Sequence, residues 1–490
     1  MTLRSHTPTR SLFVALWIGC LGLVLAGCDS NGGTDDGNGG PTTFDVTIEN
    51  VGSATPLLKS GAFTPDDVIN DNNNIAPLEP GEAFQFSFTA GTNELPGTDA
   101  AFSFASMFVQ SNDAYYAFGP GGISLFDGND NPIGMSSPAD VTDEVRLYDA
   151  GTEVDQEPGT GSNQAPRQSS TDTGPDENGS LVQIQDTDSD GALEDDGFEY
   201  PAVADGVEVT VSSQPDDASG GIEFTVTIEN VSDETSTQVN GAPLVLSPGS
   251  FAVHFDQMPG GGAEVTYPGH APGSAASDGI EEIAEDGMPS THVSTLGGAT
   301  GVTVPFSPGA YAVHSDDIAF FETGASADAG IEAIAEDGMP GEKASSVGGA
   351  DAVLAAGAFN TPDGADSPGP LTPGNSYSFS VDAEPGDRLS LATMYIQSND
   401  LFYALPAEGL PLFDGDQPID RDVTGSVALY DAGTEGDQEP GVGLDQAPRQ
   451  SSLDTGPDGE GSLSEITGGS DDGVSYPATS SIVTVTVSPQ

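Results

Sequence analysis

The chain has 490 residues, with 78 Asp and Glu against 9 Lys and Arg, for a formal net charge of −69. So few cations exclude a nucleic-acid binder, since phosphate neutralisation needs Lys and Arg. The two cysteines, Cys20 and Cys28, leave no internal disulfide once a leader is removed, and they exclude Cys-based metal sites and Cys nucleophiles.

Residues 1–27 read as an export signal. Arg4 and Arg10 precede an apolar run over 11–26 that is too short and wrongly flanked for a stable membrane helix. The run ends in Leu25-Ala26-Gly27-Cys28, a lipobox pattern, so Cys28 is expected to become an acylated N-terminus; an ordinary secretory signal containing Cys is the alternative. The expectation is a membrane-anchored lipoprotein of the cell envelope, at the outer membrane or cell surface, held by lipid and not by a spanning helix. An acidic surface of this kind repels itself in dilute buffer and is tolerated near 1 M salt, where the screening length falls to about 3 Å. Scarce lysine (Lys59 and Lys343 only) agrees with a halophilic protein, and solvation in brine accounts for most individual carboxylates.

Residues 28–42 are rich in Asp, Gly and Asn and form a flexible tether. The stretch 44–51 then alternates as a strand does and is nearly repeated at 224–231. Each copy closes on another alternating run, 207–211 and 482–487. The spacing predicts two domains, 43–212 and 223–490, joined by a linker at 213–222. Between these ends both copies alternate short apolar runs with Pro-Gly and Asn/Asp-Gly turns, which argues for an all-β fold of two antiparallel β-sandwich domains.

The second copy is longer because a strand–helix unit occurs there twice. Pro-Gly-x-x-Ala-Val-His stands at 248–254 and 308–314, and Gly-Ile-Glu-x-Ile-Ala-Glu-Asp-Gly at 279–287 and 330–338. Each of the latter is a short helix, the first capped by Ser277 or Asp278, buried through Ile280, Ile283 and Ala284, and ended by Gly287. The first domain is expected to lack the unit and the second to carry these helical insertions twice.

Tyr-Asp-Ala-Gly-Thr-Glu recurs unchanged at 148–153 and 430–435, with Gln-Ser-Asn-Asp upstream at 110–113 and 397–400 and Gln-Ala-Pro-Arg-Gln-Ser-Ser downstream at 164–170 and 446–452. This is a tandem duplication, and shared chemistry belongs in its acidic loops. In this loop Gly151 permits a turn that returns Glu153 to the side of Asp149. Carboxylates so placed repel unless a cation joins them; solvated turn acids are the other reading.

The ordered series of Thr-Val-Thr-Ile-Glu-Asn strand, Pro-Gly-x-x-Ala-Val-His strand, acidic helix, Ser-Asn-Asp and Tyr-Asp-Ala-Gly-Thr-Glu resembles the spondin N-terminal domain, found in extracellular matrix proteins and in many exported bacterial proteins. The resemblance covers nearly all of 223–490 and covers 44–212 less completely. It implies a C2-like β-sandwich with Ca2+ bound by loop carboxylates. By position these are Asp113, Asp149 and Glu153 in the first domain and Asp400, Asp431 and Glu435 in the second, with Glu at the last place where the family also uses Asp. It further implies adhesion or binding to an extracellular polysaccharide, protein or membrane surface. An ion-stabilised structural envelope protein is the alternative, and a carboxylate-dependent hydrolase a weaker one.

Other residues read more plainly. Asp186-Thr-Asp188-Ser-Asp190-Gly191 resembles the start of an EF-hand loop, but position twelve is Gly197 and no flanking helices are predicted, so a solvated loop is favoured. His254, His270, His292 and His314 all fall in the predicted second domain, where structural hydrogen bonds are expected and zinc is the other reading. Their absence from the first domain sets aside a duplicated Ser-His-Asp hydrolase. No metalloprotease, nucleophile-elbow or phosphate-loop motif occurs, and no enzyme activity is expected. Arg167 and Arg449, in identical contexts, are expected to pair with carboxylates.

Overall fold

Alternating apolar and polar residues generate the strands, and in the computed structural model these assemble into four main antiparallel sheets within the unit Pro41–Gln490. The structure describes residues 40–70, 77–92, 99–189, 191–233, 238–258, 264–315, 318–459, 461–471 and 474–490. The predicted signal 1–27, Cys28 and most of the predicted tether lie outside the described residues, as does Asp190. No helix among the described residues is long and apolar enough to cross a membrane.

The sheets pack in two pairs, each around its own apolar core. In the first sandwich Phe84, Phe86 and Phe88 of strand Ala83–Ala90 face Phe102, Phe104 and Phe108 of strand Ala100–Phe108. In the second, Val485 and Val487 meet Leu389 and Leu391. The all-β sandwich expectation holds. Strand Ala100–Phe108 is buried along its whole length because helix Asp278–Asp286 covers its other face, placing Ile280, Ile283 and Ala284 against Ala105 and Ala252. That helix starts where the Ser277 side chain accepts the Ile280 N–H and stops at Gly287, φ 64°. Helix Ala329–Ala335 repeats it, with Asp328 accepting from Gly330 and Ile331 N–H. A second helix follows each, Ser290–Ala299 and Gly341–Gly348; neither was anticipated, since their Ser, Thr and Gly content hides a helical period.

Strand pairing corrects the expected domain boundaries. Thr42–Asn50 sits between Ser376–Ala383 and Val483–Pro489, in the second sandwich. Its near-copy Gly221–Asn230 sits between Ala83–Ala90 and Val207–Asp216, in the first. Residues 213–222 are therefore no linker: they close a hairpin in which Val207–Asp216 pairs with Gly221–Asn230 residue for residue. The two opening strands are nearly interchangeable in sequence. The one that can form a local hairpin does so, because closing a short loop costs less entropy than closing a long one. The distant opening strand completes the other sheet.

The helical unit is redistributed by the same logic. Strand Leu246–Phe255 pairs with Leu57–Phe63 and Ala100–Phe108, and its two helices follow it onto the first sandwich. Each sandwich thus holds one unit, where the sequence suggested none and two. The halves also interlock through a loop. Val442 of the second sandwich is fully buried in the first core, lying over Gly221, where a Cβ would fall 2.3 Å from Val442 Cγ1. Lys59 pairs with Glu439 beside it.

Candidate metal centre

Register builds the candidate site. Ala114 lies opposite Asp149, and Leu401 opposite Asp431, so the preceding residues Asp113 and Asp400 stand beside the start of each Asp-Ala-Gly-Thr-Glu loop. Ala150 N–H donates to Asp113 O, and Ala432 N–H to Asp400 O, both at 3.1 Å. The loop then turns through Gly151 and Gly433, each at φ 67°. A Cβ on Gly151 would approach the Ser180 backbone to 2.8 Å, so both the angle and the space demand glycine.

The same carboxylate geometry appears twice. Asp113 Oδ2 accepts Thr152 N–H (2.8 Å), Thr152 Oγ1–H (3.2 Å) and Glu153 N–H (3.0 Å). Asp400 Oδ2 accepts the matching set from Thr434 and Glu435 at 2.7, 3.3 and 3.0 Å. Asp149 Oδ1 accepts Gly151 N–H at 2.7 Å and Asp431 Oδ1 accepts Gly433 N–H at 2.6 Å. Every one of these bonds leaves the second carboxylate oxygen for another partner. Asp400 is wholly buried, and its Oδ1 has no hydrogen-bond partner.

The third member differs from expectation. Oxygens of Asp113, Asp149 and Asp155 converge within 4.8 Å of one another. Glu153 is not in that group: Gly174 N–H donates to its Oε1 at 2.7 Å, and Asn112 Nδ2–H to its Oε2 at 3.3 Å. Glu435 turns the same way toward Asn399, at 3.4 Å. A longer side chain carries the carboxylate past the group and into the loop around Gly174 or Gly456, where a Cβ would collide with it. Nothing in an acidic sequence distinguishes Asp155, which joins the group only in the fold; its match in the duplication is Asp437.

Burial and mutual repulsion raise these acids. Asp149 is pushed up to about 9 by burial and then by Asp113, and Asp155 to about 7 by burial and then Asp113. Asp400 is pushed to about 7 by burial and then by Asp431, and Asp113 is raised by burial. Glu435 is held at about 8 by burial and then by Glu336, and burial raises Glu153. Lys59, Arg146 and Lys343 pair with other acids, Glu439, Glu144 and Asp328.

A second acidic group lies on the helical side. Glu332 and Glu336, one turn apart, approach Asp454 within 4.8 Å. Glu336 is pushed to about 7 and its counterpart Glu285 to about 8, each mainly by burial.

The remaining candidates make hydrogen bonds within the fold. Of the histidines singled out above, His254, His270 and His292 lie in the first sandwich, so a triad there is not set aside by a lack of histidine. Ser103 Oγ meets His254 Nε2 at 2.9 Å, and Ser390 Oγ meets His314 Nε2 at 2.8 Å, but all four residues are buried and the Nδ1 atoms face the carbonyls of Phe255 and Ser315. His270 bonds Tyr115 and His292 bonds Ser250. Arg167 and Arg449 bond glutamine oxygens and main-chain carbonyls, Gln110 and Gly161 in one case and Gln397 and Gly443 in the other. Asp186 accepts Ser189 N–H at 2.5 Å and Gly191 N–H at 3.1 Å at an exposed turn. Neither a family model nor a curated protein matches the chain.

Proposed function

We propose that the protein is a spondin-type lipoprotein of the cell envelope whose two sandwiches each bind Ca2+ through the Asp-Ala-Gly-Thr-Glu loop and the aspartate before the facing strand. The observation that carries this reading is Asp400, wholly buried and bonded through Oδ2, with Oδ1 left without a partner while Asp431 lies close enough to raise it. A carboxylate oxygen in that position calls for a cation or a proton. The donors are all oxygens, which suits a hard ion; calcium takes six to eight of them at about 2.3–2.6 Å, with carbonyls and water completing the set. Asp113, Asp149 and Asp155 would hold the ion in the first sandwich, and Asp400 and Asp431 in the second. The ion would supply positive charge between these carboxylates.

The exchanged strands support the spondin reading as well. Each sandwich ends with one opening strand, one helical unit and one acidic loop, the full motif series that the linear order divides unequally. With Cys28 as the lipid anchor, such domains would face the cell exterior and bind a polysaccharide, protein or membrane surface through ion-ordered loops. The test is calorimetric calcium titration of the mature protein in concentrated salt, followed by glycan-array and liposome binding with and without chelator. Two bound ions and chelator-sensitive binding are expected. Absence of any calcium heat, with melting unchanged by chelator, would sink the proposal.

A purely structural role is favoured by one feature. The loop ties together segments 110–113, 149–155 and 174–179, through Asn112, Asp113, Glu153 and Gly174. Calcium binding without any chelator-sensitive partner would select that reading.

A further inference from the structure

A cavity of about 440 Å3 opens in the first sandwich between Glu157-Pro158 and the hairpin of strands Leu193–Asp195 and Phe198–Tyr200. Small-ligand sites span about 300–1,000 Å3, so the size suits one. Pro158, Pro201, Val239 and Phe198 give the cavity an apolar wall, and Glu157 and Glu199 add two carboxylates. The duplication supplies a second view of this place, since Glu157-Pro158-Gly159 matches Glu439-Pro440-Gly441. In each loop two N–H groups donate to the glutamate carbonyl, at 3.2 Å in one and 3.1 Å in the other. Each glycine, at φ 81° or 78°, lies against a valine, Val239 or Val302. Glu439, Pro440 and Val302 also line a cavity, of about 630 Å3. There the chain brings its own ammonium: Lys59 pairs with Glu439 Oε1, while Oε2 accepts Thr89 Oγ1–H at 2.9 Å.

We infer that the cavity beside Glu157 binds a primary ammonium group on an apolar stem, supplied by another molecule as a free alkylamine or a lysyl side chain. The chain has two lysines and both are committed elsewhere, Lys59 to Glu439 and Lys343 to Asp328. Lys343 shows how this fold houses an ammonium: its Nζ lies 2.6 Å from the Asp328 carboxylate and 4.9 Å from the centre of the Phe320 ring. The cavity offers the same two ingredients in Glu157 and Glu199 and in Phe198. The carboxylates would take the head group and the Pro158, Val239 and Phe198 wall the stem. A metal ion would leave that wall unused, which favours the organic cation. This inference does not rest on the calcium reading.

The test is an NMR titration of the full mature chain in concentrated salt with butylammonium, with butanol as its neutral analogue, and with a blocked Gly-Lys-Gly peptide. Butylammonium is expected to bind more tightly than butanol. Glu157→Gln and Glu199→Gln are each expected to weaken it about twofold to fivefold, with melting unchanged. Glu208→Gln, which removes the same charge from an exposed position on strand Val207–Asp216, is expected to bind as wild type does. A peptide that binds as tightly as butylammonium assigns the site to a lysyl side chain. A peptide that fails where the amine binds assigns it to a free amine, and either result upholds the site. The inference is overturned if butylammonium does not bind, if butanol binds as tightly, or if Glu208→Gln weakens binding as much as the cavity variants do.

Discussion

Phe44, near the start of the described chain, pairs with Val381 in the sheet of the second sandwich, while its sequence twin Phe224 pairs with Phe88 in the first. The opening strand lies inside that second sheet, with a neighbour on each side, and contributes Phe44, Val46 and Ile48 to its core. Removing residues 1–51 should therefore damage the distant half of the molecule. Hydrogen exchange should rise across 376–383 and 483–489, while 83–90 and 207–230 stay protected. Loss of protection in the first sandwich instead would contradict the observed pairing.

Asp400→Asn should show opposite signs with and without calcium. An amide keeps an oxygen for the Thr434 and Glu435 N–H groups and replaces the anion that repels Asp431. In chelator the variant should be as stable as wild type or slightly more so. In saturating calcium it should be less stable, by about 1–3 kcal/mol, since one ion is lost. Calorimetric stoichiometry should fall from two ions to one. A variant destabilised equally under both conditions would show that Asp400 has no ion-dependent role.

Stability should fall with rising pH when no cation is present. Burial and neighbouring carboxylates hold Asp149 near 9 and Asp155 and Asp400 near 7. The unfolded chain releases the same protons near about 4, so the folded state binds more protons between those values. The contribution of these acids is full below about 4 and is lost as pH climbs toward their folded values. Melting of the chelated protein in concentrated salt should drop between pH 5 and pH 9, and calcium should flatten that slope. A chelated protein that grows more stable over this range would refute the assignment.

Gly433→Ala should destabilise the second sandwich by about 1–3 kcal/mol, the usual cost of an L-residue held at an unfavourable backbone angle. Its φ is 67° and a Cβ would meet Ser462 N at 2.8 Å, so strain and crowding add. The denaturation midpoint is the measurement, and Gly425→Ala, where a Cβ meets nothing, is the matched control.

Much of the local structure was legible in the residues themselves. Alternation located the major strands, and Ser277, Ile280, Ile283 and Gly287 defined a helix whose cap, face and stop agree with the structure. The repeated hexapeptide located the loops that bring Asp113 beside Asp149 and Asp400 beside Asp431. These features depend on period and spacing, which a linear sequence carries directly.

Partnership between segments is another matter. Two opening strands of nearly equal sequence fit either sheet equally well. Their assignment came from chain connectivity and from the low cost of the hairpin at 216–221, which no residue pattern expresses. The exchange of the helical unit and the seating of Val442 in the other sandwich's core follow from that choice. Within the site, the sequence by itself nominated Asp149 and Glu153 through the repeated loop. Only the tertiary structure brought Asp155, and not Glu153, into the group with Asp113 and Asp149, because in a chain this acidic the sequence does not show which carboxylates folding gathers together.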